Sequence, residues 1–282
     1  MSIADLNKKG YPPFSVLMSL YYKEKAEYLE ACLESLLKQT CPAQEWVIVK
    51  DGPLTESLDD ILEEYIKKYP GLITIVPISE NVGLGLALRK GIEFCKYELV
   101  ARMDTDDIAK EDRFEKQLQL FVENPELDIC GGQIVEFEDS ISNIVAKRTV
   151  PLNDKEIKKY QKRRDAFNHM TVMYKKKSVL NAGNYQSALL MEDTLLWANM
   201  IMSGSICKNL PDDLVYVRIG KDMYQRRGGF EYFKKYKLGR KKVKETGFIG
   251  WYDYYVTLVV QFIVALIPSS VRGLIFKKIL HR

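Results

Sequence analysis

The sequence is poor in the residues that build metal ribbons and disulfide frameworks. Only two of its 282 residues are histidine, His169 and His281, so no histidine cluster can form. The five cysteines, Cys32, Cys41, Cys95, Cys130 and Cys207, are odd in number and include no C-x-x-C pair. That excludes a zinc ribbon or a disulfide scaffold and fits a reducing compartment. No low-complexity, collagen-like or proline-rich tract is present, which excludes a disordered or fibrous chain. The polar, mixed-charge start from Met1 to Gly10 lacks a signal-peptide pattern, and a cytoplasmic chain is expected. Long apolar runs are also missing. The charge-free stretch from Tyr254 to Val271 reaches 18 residues, but Pro268-Ser269-Ser270 breaks it and its apolar core is only Tyr255 to Ile267, too short to span a bilayer.

What is present describes an ordinary globular chain, with 46% hydrophobic and 28% charged residues. The length predicts one catalytic-size unit, residues 1–229, with a helical extension, residues 230–282. The net charge of +4 conceals a division: residues 1–150 hold 17 Lys+Arg against 27 Asp+Glu, and residues 151–282 hold 25 against 11. An acidic front half does not suit nucleic acid, while a basic back half suits an anionic partner such as a phospholipid headgroup or a diphosphate.

Short β-branched runs (Phe14 to Ser19, Trp46 to Val49, Ile73 to Val76, Leu99 to Met103) alternate with amphipathic stretches such as Leu84 to Phe94. This rhythm predicts an α/β fold with a mixed, mainly parallel sheet flanked by helices, whose ligands sit at the carboxyl ends of the strands. After Gly131-Gly132 the pattern predicts antiparallel strands around Asp139-Ser140, a charged helix from Asp154 to Arg164, a strand from Met170 to Tyr174 and a helix from Glu192 to about Met202.

The sharpest motif is Asp104-Thr105-Asp106-Asp107, directly after an apolar strand. Three carboxylates so close repel one another, a cost best relieved by a hard divalent cation such as Mn²⁺ or Mg²⁺. Helix capping accounts for one aspartate, not three. Asp51, before Gly52-Pro53, could accept hydrogen bonds from a nucleobase or serve a turn. Asn81-Val82-Gly83-Leu84-Gly85 opens a helix and could approach a ribose, or be a simple entry loop. Glu192-Asp193 begins a helix with an apolar stripe behind it, which fits either a cap or a reactive acid. His169 is a candidate contact for acceptor or metal, and otherwise a strand-entry residue.

In order and spacing these elements, with Phe14-Ser15-Val16-Leu17-Met18-Ser19-Leu20-Tyr21 and Ser35-Leu36-Leu37-Lys38-Gln39-Thr40, resemble the family 2 inverting glycosyltransferases of GT-A fold over about residues 14–205. The resemblance implies that Asp51 reads a uracil edge, that Ser19, Tyr21, Asn81, Asp104 and Thr105 bind the nucleotide, that Asp106 ligates the metal, and that Asp193 is the general base. Two positions depart from the family pattern: Lys50 precedes Asp51, and Tyr22 follows Tyr21. The tail resembles bacterial members that extend lipid-linked capsule or O-antigen units. It implies a lipid-linked saccharide acceptor, with Arg226 and Arg227 in Gln225-Arg226-Arg227-Gly228-Gly229 as candidate phosphate clamps. Basic flanks and Trp251, Tyr252, Tyr254 and Tyr255 predict a helix lying in the headgroup region at the inner face of the membrane, with packing on the domain or a homo-oligomer contact as alternatives. Two other classes share some features: a haloacid-dehalogenase-type phosphatase, which also uses Asp-x-Asp, and a silent sugar-nucleotide-binding scaffold.

Overall fold

The computed structural model describes residues 10–220 and 228–267. Four apolar runs form the parallel half of a nine-stranded sheet: β1 (Phe14–Leu20), β2 (Glu45–Asp51), β3 (Ile73–Ile78) and β4 (Leu99–Arg102). Between them run α1 (Ala26–Leu37), α2 (Glu56–Lys68) and α3 (Leu84–Phe94). β1 pairs in parallel with both β2 and β4, and β2 with β3, so their carboxyl ends share one edge. After the short β5 (Ile108–Ala109) and α4 (Arg113–Glu123), the chain enters β6 (Ile129–Phe137) and returns antiparallel through β7 (Ile144–Arg148). It continues through α5 (Asp154–Gln161), a 3₁₀ turn (His169–Thr171), β8 (Met173–Lys175), α6 (Lys176–Asn181), α7 (Glu192–Met202) and β9 (Cys207–Arg218). The strand order is β3-β2-β1-β4-β8-β6-β9-β5, with β7 on β6.

Alternation along the strands fills both faces. Val16, Met18, Trp46 and Ile48 pack against residues of α1, α2 and α4, whereas Leu17, Val47, Val49 and Val76 meet α3 and α7. This two-sided burial is why the strands read as continuous apolar runs. Two expectations change. The strand expected from Met170 to Tyr174 begins at Met173, because the preceding residues wind into the 3₁₀ turn. β6 also runs straight through Gly131-Gly132, where the change of rhythm was read.

A third, smaller cluster joins α7 to an antiparallel helical pair, α8 (Phe230–Glu245) and α9 (Trp251–Leu266). Val243, Phe248, Ile249, Tyr254 and Leu258 pack on Ala188, Met191, Leu195 and Ala198. The buried Arg240 guanidinium ties the pair down by donating to the Lys162 carbonyl at 2.7 Å and to Thr257 Oγ1 at 3.2 Å. No helix among the described residues is long and apolar enough to cross a membrane.

Leu17 is fully buried under α3, so Leu17→Ala should lower stability by about 2–5 kcal/mol through lost burial and a residual cavity. Equilibrium urea unfolding checks this; a change well under 1 kcal/mol on the same scale would mean the site collapses around the shorter side chain.

Candidate active site

The carboxyl edge of the parallel strands gathers the acids that the sequence singles out. Asp104 follows β4 and cannot be separated from Arg102, whose side chain is wholly buried at the strand's end. An Arg102 nitrogen lies 2.5 Å from Asp104 Oδ1, and His169 Nε2 lies 2.8 Å from Asp104 Oδ2. The other ring nitrogen of His169 faces Asp193 Oδ2 at 3.6 Å. The imidazole therefore bridges the acidic motif after β4 and the first turn of α7, and the 3₁₀ turn at 169–171 is what presents it there.

These contacts set the acids apart electrically. Burial pushes Asp104 up, but Arg102 and His169 outweigh it and hold Asp104 well below the ordinary carboxylate range. Burial, then the Asp104 charge, pushes Asp106 up to about 7, and burial with Asp106 and Asp104 raises Asp107 well above its usual value. Asp193 is raised by burial, which His169 and Arg102 only partly offset. For His169 burial works downward, yet Asp104 and Asp193 prevail and lift it above an ordinary histidine.

Carboxylate oxygens of Asp104, Asp106 and Asp107 lie within 4.8 Å of one another. Asp104 is taken by Arg102 and His169, and Asp107 Oδ1 accepts the Arg218 backbone N–H at 2.9 Å. Among the described residues the Asp106 carboxylate receives its own backbone N–H and no ion-pair partner, and the donor set fits a hard cation. Asp193 Oδ1 is buried with no hydrogen-bond partner among the described residues, and Oδ2 is the oxygen that faces His169.

Asp51, at the end of β2, turns inward. Its oxygens accept from Asn81 Nδ2 at 2.9 Å, Val82 N at 2.8 Å and Gly83 N at 3.1 Å. Three of about four acceptor sites of a carboxylate are thus used within the chain. Gly52 makes this closure possible: its φ is +87°, and a Cβ there would lie 2.8 Å from the Asn81 nitrogen. Gly85 does similar service, since a Cβ there would collide with Glu192 Cγ. The 81–83 loop and the first turn of α3 therefore join Asp51 to the start of α7, where Glu192 stands against Gly85. Ser19 is half-buried at the end of β1 and Tyr21 is 41% exposed beside Tyr22. Thr105 is buried, its hydroxyl donating to Glu24 at 3.3 Å. Lys50 is spent on Asp59 at 2.6 Å. Arg226 and Arg227 lie outside the described residues.

Three site residues escaped the sequence reading. Arg102 had a signal, a lone charge ending an apolar strand. Glu24, whose carboxyl burial raises, had none. Arg218 closes the acidic loop, with its Nε on the Asp106 carbonyl at 3.2 Å and its guanidinium 3.9 Å from the Tyr28 ring centroid; it ends a strand that the sequence reading did not find.

Comparison with known proteins places this geometry among sugar transferases. The family model for "Glycosyl transferase family 2" matches residues 15–182. The amylovoran biosynthesis glycosyltransferase AmsE of Erwinia amylovora is 41% identical over 94% of this chain and 98% of its own length. An Escherichia coli protein named UDP-Gal:alpha-D-GlcNAc-diphosphoundecaprenol beta-1,3-galactosyltransferase is 32% identical over 96% of this chain and 98% of its own. Among solved structures, the mannosyltransferase PcManGT of Pyrobaculum calidifontis, in complex with GDP-Man and Mn²⁺, superposes with a TM-score of 0.64 at 16% identity, covering 92% of this chain and 74% of that one. That likeness extends to the fold, the GT-A arrangement expected from the sequence. None of these matches supports the phosphatase alternative.

Two measurements probe the electrostatics. A cation at Asp106, which is pushed up to about 7, competes with a proton there, so Mn²⁺ affinity measured by calorimetry should rise between about pH 6 and pH 8 with proton release on binding. A pH-independent affinity would remove the aspartates from the site. His169, raised in the folded state, contributes stability that is fully present below its unfolded value of about 6.5 and is lost as pH rises through the folded one. In chelator, the stability difference between wild type and His169→Asn should therefore be larger near pH 6 than near pH 9, read by chemical denaturation.

Proposed function

The chain belongs to glycosyl transferase family 2, and on that premise we propose that it is an inverting, metal-dependent glycosyltransferase. It would move a sugar from a nucleoside-diphosphate donor, a UDP-sugar in the first instance, to a lipid-linked saccharide during assembly of a bacterial surface polysaccharide. The observation that carries this reading is Asp193, a carboxylate whose pKa burial raises, bridged through His169 to the Asp104–Asp106 motif. The lipid-diphosphate acceptor named for the Escherichia coli relative supports the acceptor class.

In this reading Asp106 would hold Mn²⁺ or Mg²⁺, which supplies Lewis-acid stabilisation of the departing diphosphate. Asp193 Oδ2 takes the proton of the acceptor hydroxyl while that oxygen attacks the anomeric carbon from the side opposite the diphosphate. The new C–O bond forms as the old one breaks, and the configuration inverts. His169 orients Asp193 and, with Arg102, keeps Asp104 ionised beside the donor. Ser19, Tyr21 and Asp51 with the Asn81–Gly83 loop would wall the base and ribose.

Residues 1–229 would form the catalytic unit and 230–282 a peripheral anchor at the inner face of the cytoplasmic membrane. Support comes from α9, where Trp251, Tyr255, Val259, Phe262, Ile263 and Leu266 are all exposed at spacings that line one helix face. The opposite side, with Tyr254, Thr257 and Leu258, packs on the domain, so the packing alternative accounts for half of the helix. A stable dimer that covers the exposed face and ignores vesicles would overturn the anchor.

Asp193→Asn keeps the side chain's shape but cannot accept the proton. Turnover should fall about 10²- to 10⁴-fold with donor affinity near wild type. Asp106→Ala should instead abolish the metal-dependent part of donor binding in calorimetry. Loss of donor affinity in the Asp193 variant would assign that residue a binding role and sink the base assignment.

A further inference from the structure

Away from the acidic edge, a cavity of about 590 Å³ lies between α5 and the start of α9, lined by Pro151, Glu156, Lys159, Tyr160, Lys162, Arg163, Arg164 and Asp253. We propose that this basic cavity seats the phosphate of an anionic phospholipid headgroup, fixing how the protein sits on the bilayer. The proposal rests on the membrane reading above and adds a defined headgroup site to it.

A run of cations at the end of α5 has a simple explanation, since a helix carboxyl terminus favours positive charge. That does not account for what surrounds them. Arg163 spends its Nε on Asp253 at 2.7 Å and lies 5.0 Å from the Tyr252 ring centroid; Arg164 lies 5.4 Å from that of Tyr160. Lys159 and Lys162 are exposed and make no ion pair among the described residues. Once Asp253 is matched by Arg163, three cations face the cavity against Glu156 alone. A guanidinium backed by a ring keeps free N–H edges, which suit a phosphate.

Position narrows the occupant to a lipid. The cavity abuts the amino-terminal turn of α9, where Trp251 and Tyr252 are 60% and 71% exposed, and the apolar face of that helix continues toward Leu266. Exposed aromatic rings, with Arg163 against that of Tyr252, and the apolar ridge of the same helix are the parts from which an interfacial surface is built. The same segment leads into the reactive centre: Asp165, next to Arg164, accepts from Thr194 Oγ1 at 2.6 Å, next to Asp193. A bilayer gripped here lies close along the chain to the proposed base.

The test uses the full chain and sedimentation with vesicles of phosphatidylcholine, with or without phosphatidylglycerol. The variant Lys159→Gln/Lys162→Gln/Arg164→Gln spares the Arg163–Asp253 tie. The control Lys38→Gln/Lys67→Gln/Lys68→Gln removes the same charge from the opposite face of the sheet. Each surface cation contributes roughly fivefold to partitioning, so the cavity variant should bind phosphatidylglycerol vesicles at least about tenfold more weakly while the control stays near wild type. Lys159→Arg/Lys162→Arg/Arg164→Lys should retain binding, which separates lost charge from misfolding. Inorganic phosphate should displace no more protein than sodium chloride of equal ionic strength; stronger displacement would make this a free-phosphate site and overturn the proposal. Equal loss in cavity and control variants, or none in either, would also overturn it. If the wild-type chain ignores the anionic vesicles altogether, the membrane reading itself fails.

Discussion

A buried arginine at the end of β4 is the constraint on which the site depends. Arg102 is fully enclosed, and burial alone would lower its pKa; the charges of Asp104 and Asp193 more than reverse that. Removing one partner from such a pair leaves an uncompensated charge in the interior, a far larger penalty than the pair's own net stabilisation. Asp104 is therefore committed to Arg102, and His169 occupies its second oxygen. Because His169 also faces Asp193, the positions of the acidic loop after β4, the 3₁₀ turn before β8 and the amino terminus of α7 are coupled through two ring nitrogens and one guanidinium. The packing of α3, α6 and α7 beneath them holds those elements in register, with Trp197 and Tyr174 buried at the centre.

Much of this was legible in the sequence because the parallel half of the sheet is buried on both faces, so β1 to β4 announce themselves as apolar runs. The helix that starts at Glu192 was legible, since its apolar stripe begins immediately after the acid pair. The second half was harder for physical reasons. β9 carries Pro211 and the pair Asp212-Asp213, and its irregular pairing with β6 shifts register between Gly131 and Ile134, so neither alternation nor apolar continuity marks it. Gly131 and Gly132 read as a break but lie within β6, where the Asn209 and Leu214 side chains fill the space a Cβ would need.

The site was legible as an inventory and not as a circuit. The aspartate cluster after β4 and the pair Glu192-Asp193 stand out by residue type, whereas the separate roles of Asp104, Asp106 and Asp193 come from the family resemblance. That Asp51 would spend its oxygens on the 81–83 loop could not be read, because Asn81 and Val82 are some thirty residues away and meet Asp51 only once β2 and β3 have paired. Thr105 is a further case: its hydroxyl turns to Glu24, an acid from the loop before α1 that carries no motif of its own.

The electrostatic spread among these carboxylates explains how one acidic edge can divide its work. Groups with identical chemistry take different roles when their surroundings push their pKa values apart. Asp104, held ionised by a permanent cation and by His169, is a poor proton acceptor and a good fixed charge. Asp106 has no such partner among the described residues, and burial and the Asp104 charge raise it, so the divalent ion proposed there would relieve that repulsion. Asp193 is removed from this competition by α7, and burial rather than like charge is the main cause of its raised value. In the proposed role of base for a sugar hydroxyl, that elevation would help, because a more basic carboxylate takes a proton more readily. Exchanging the surroundings of Asp104 and Asp193 would exchange their abilities without altering either side chain.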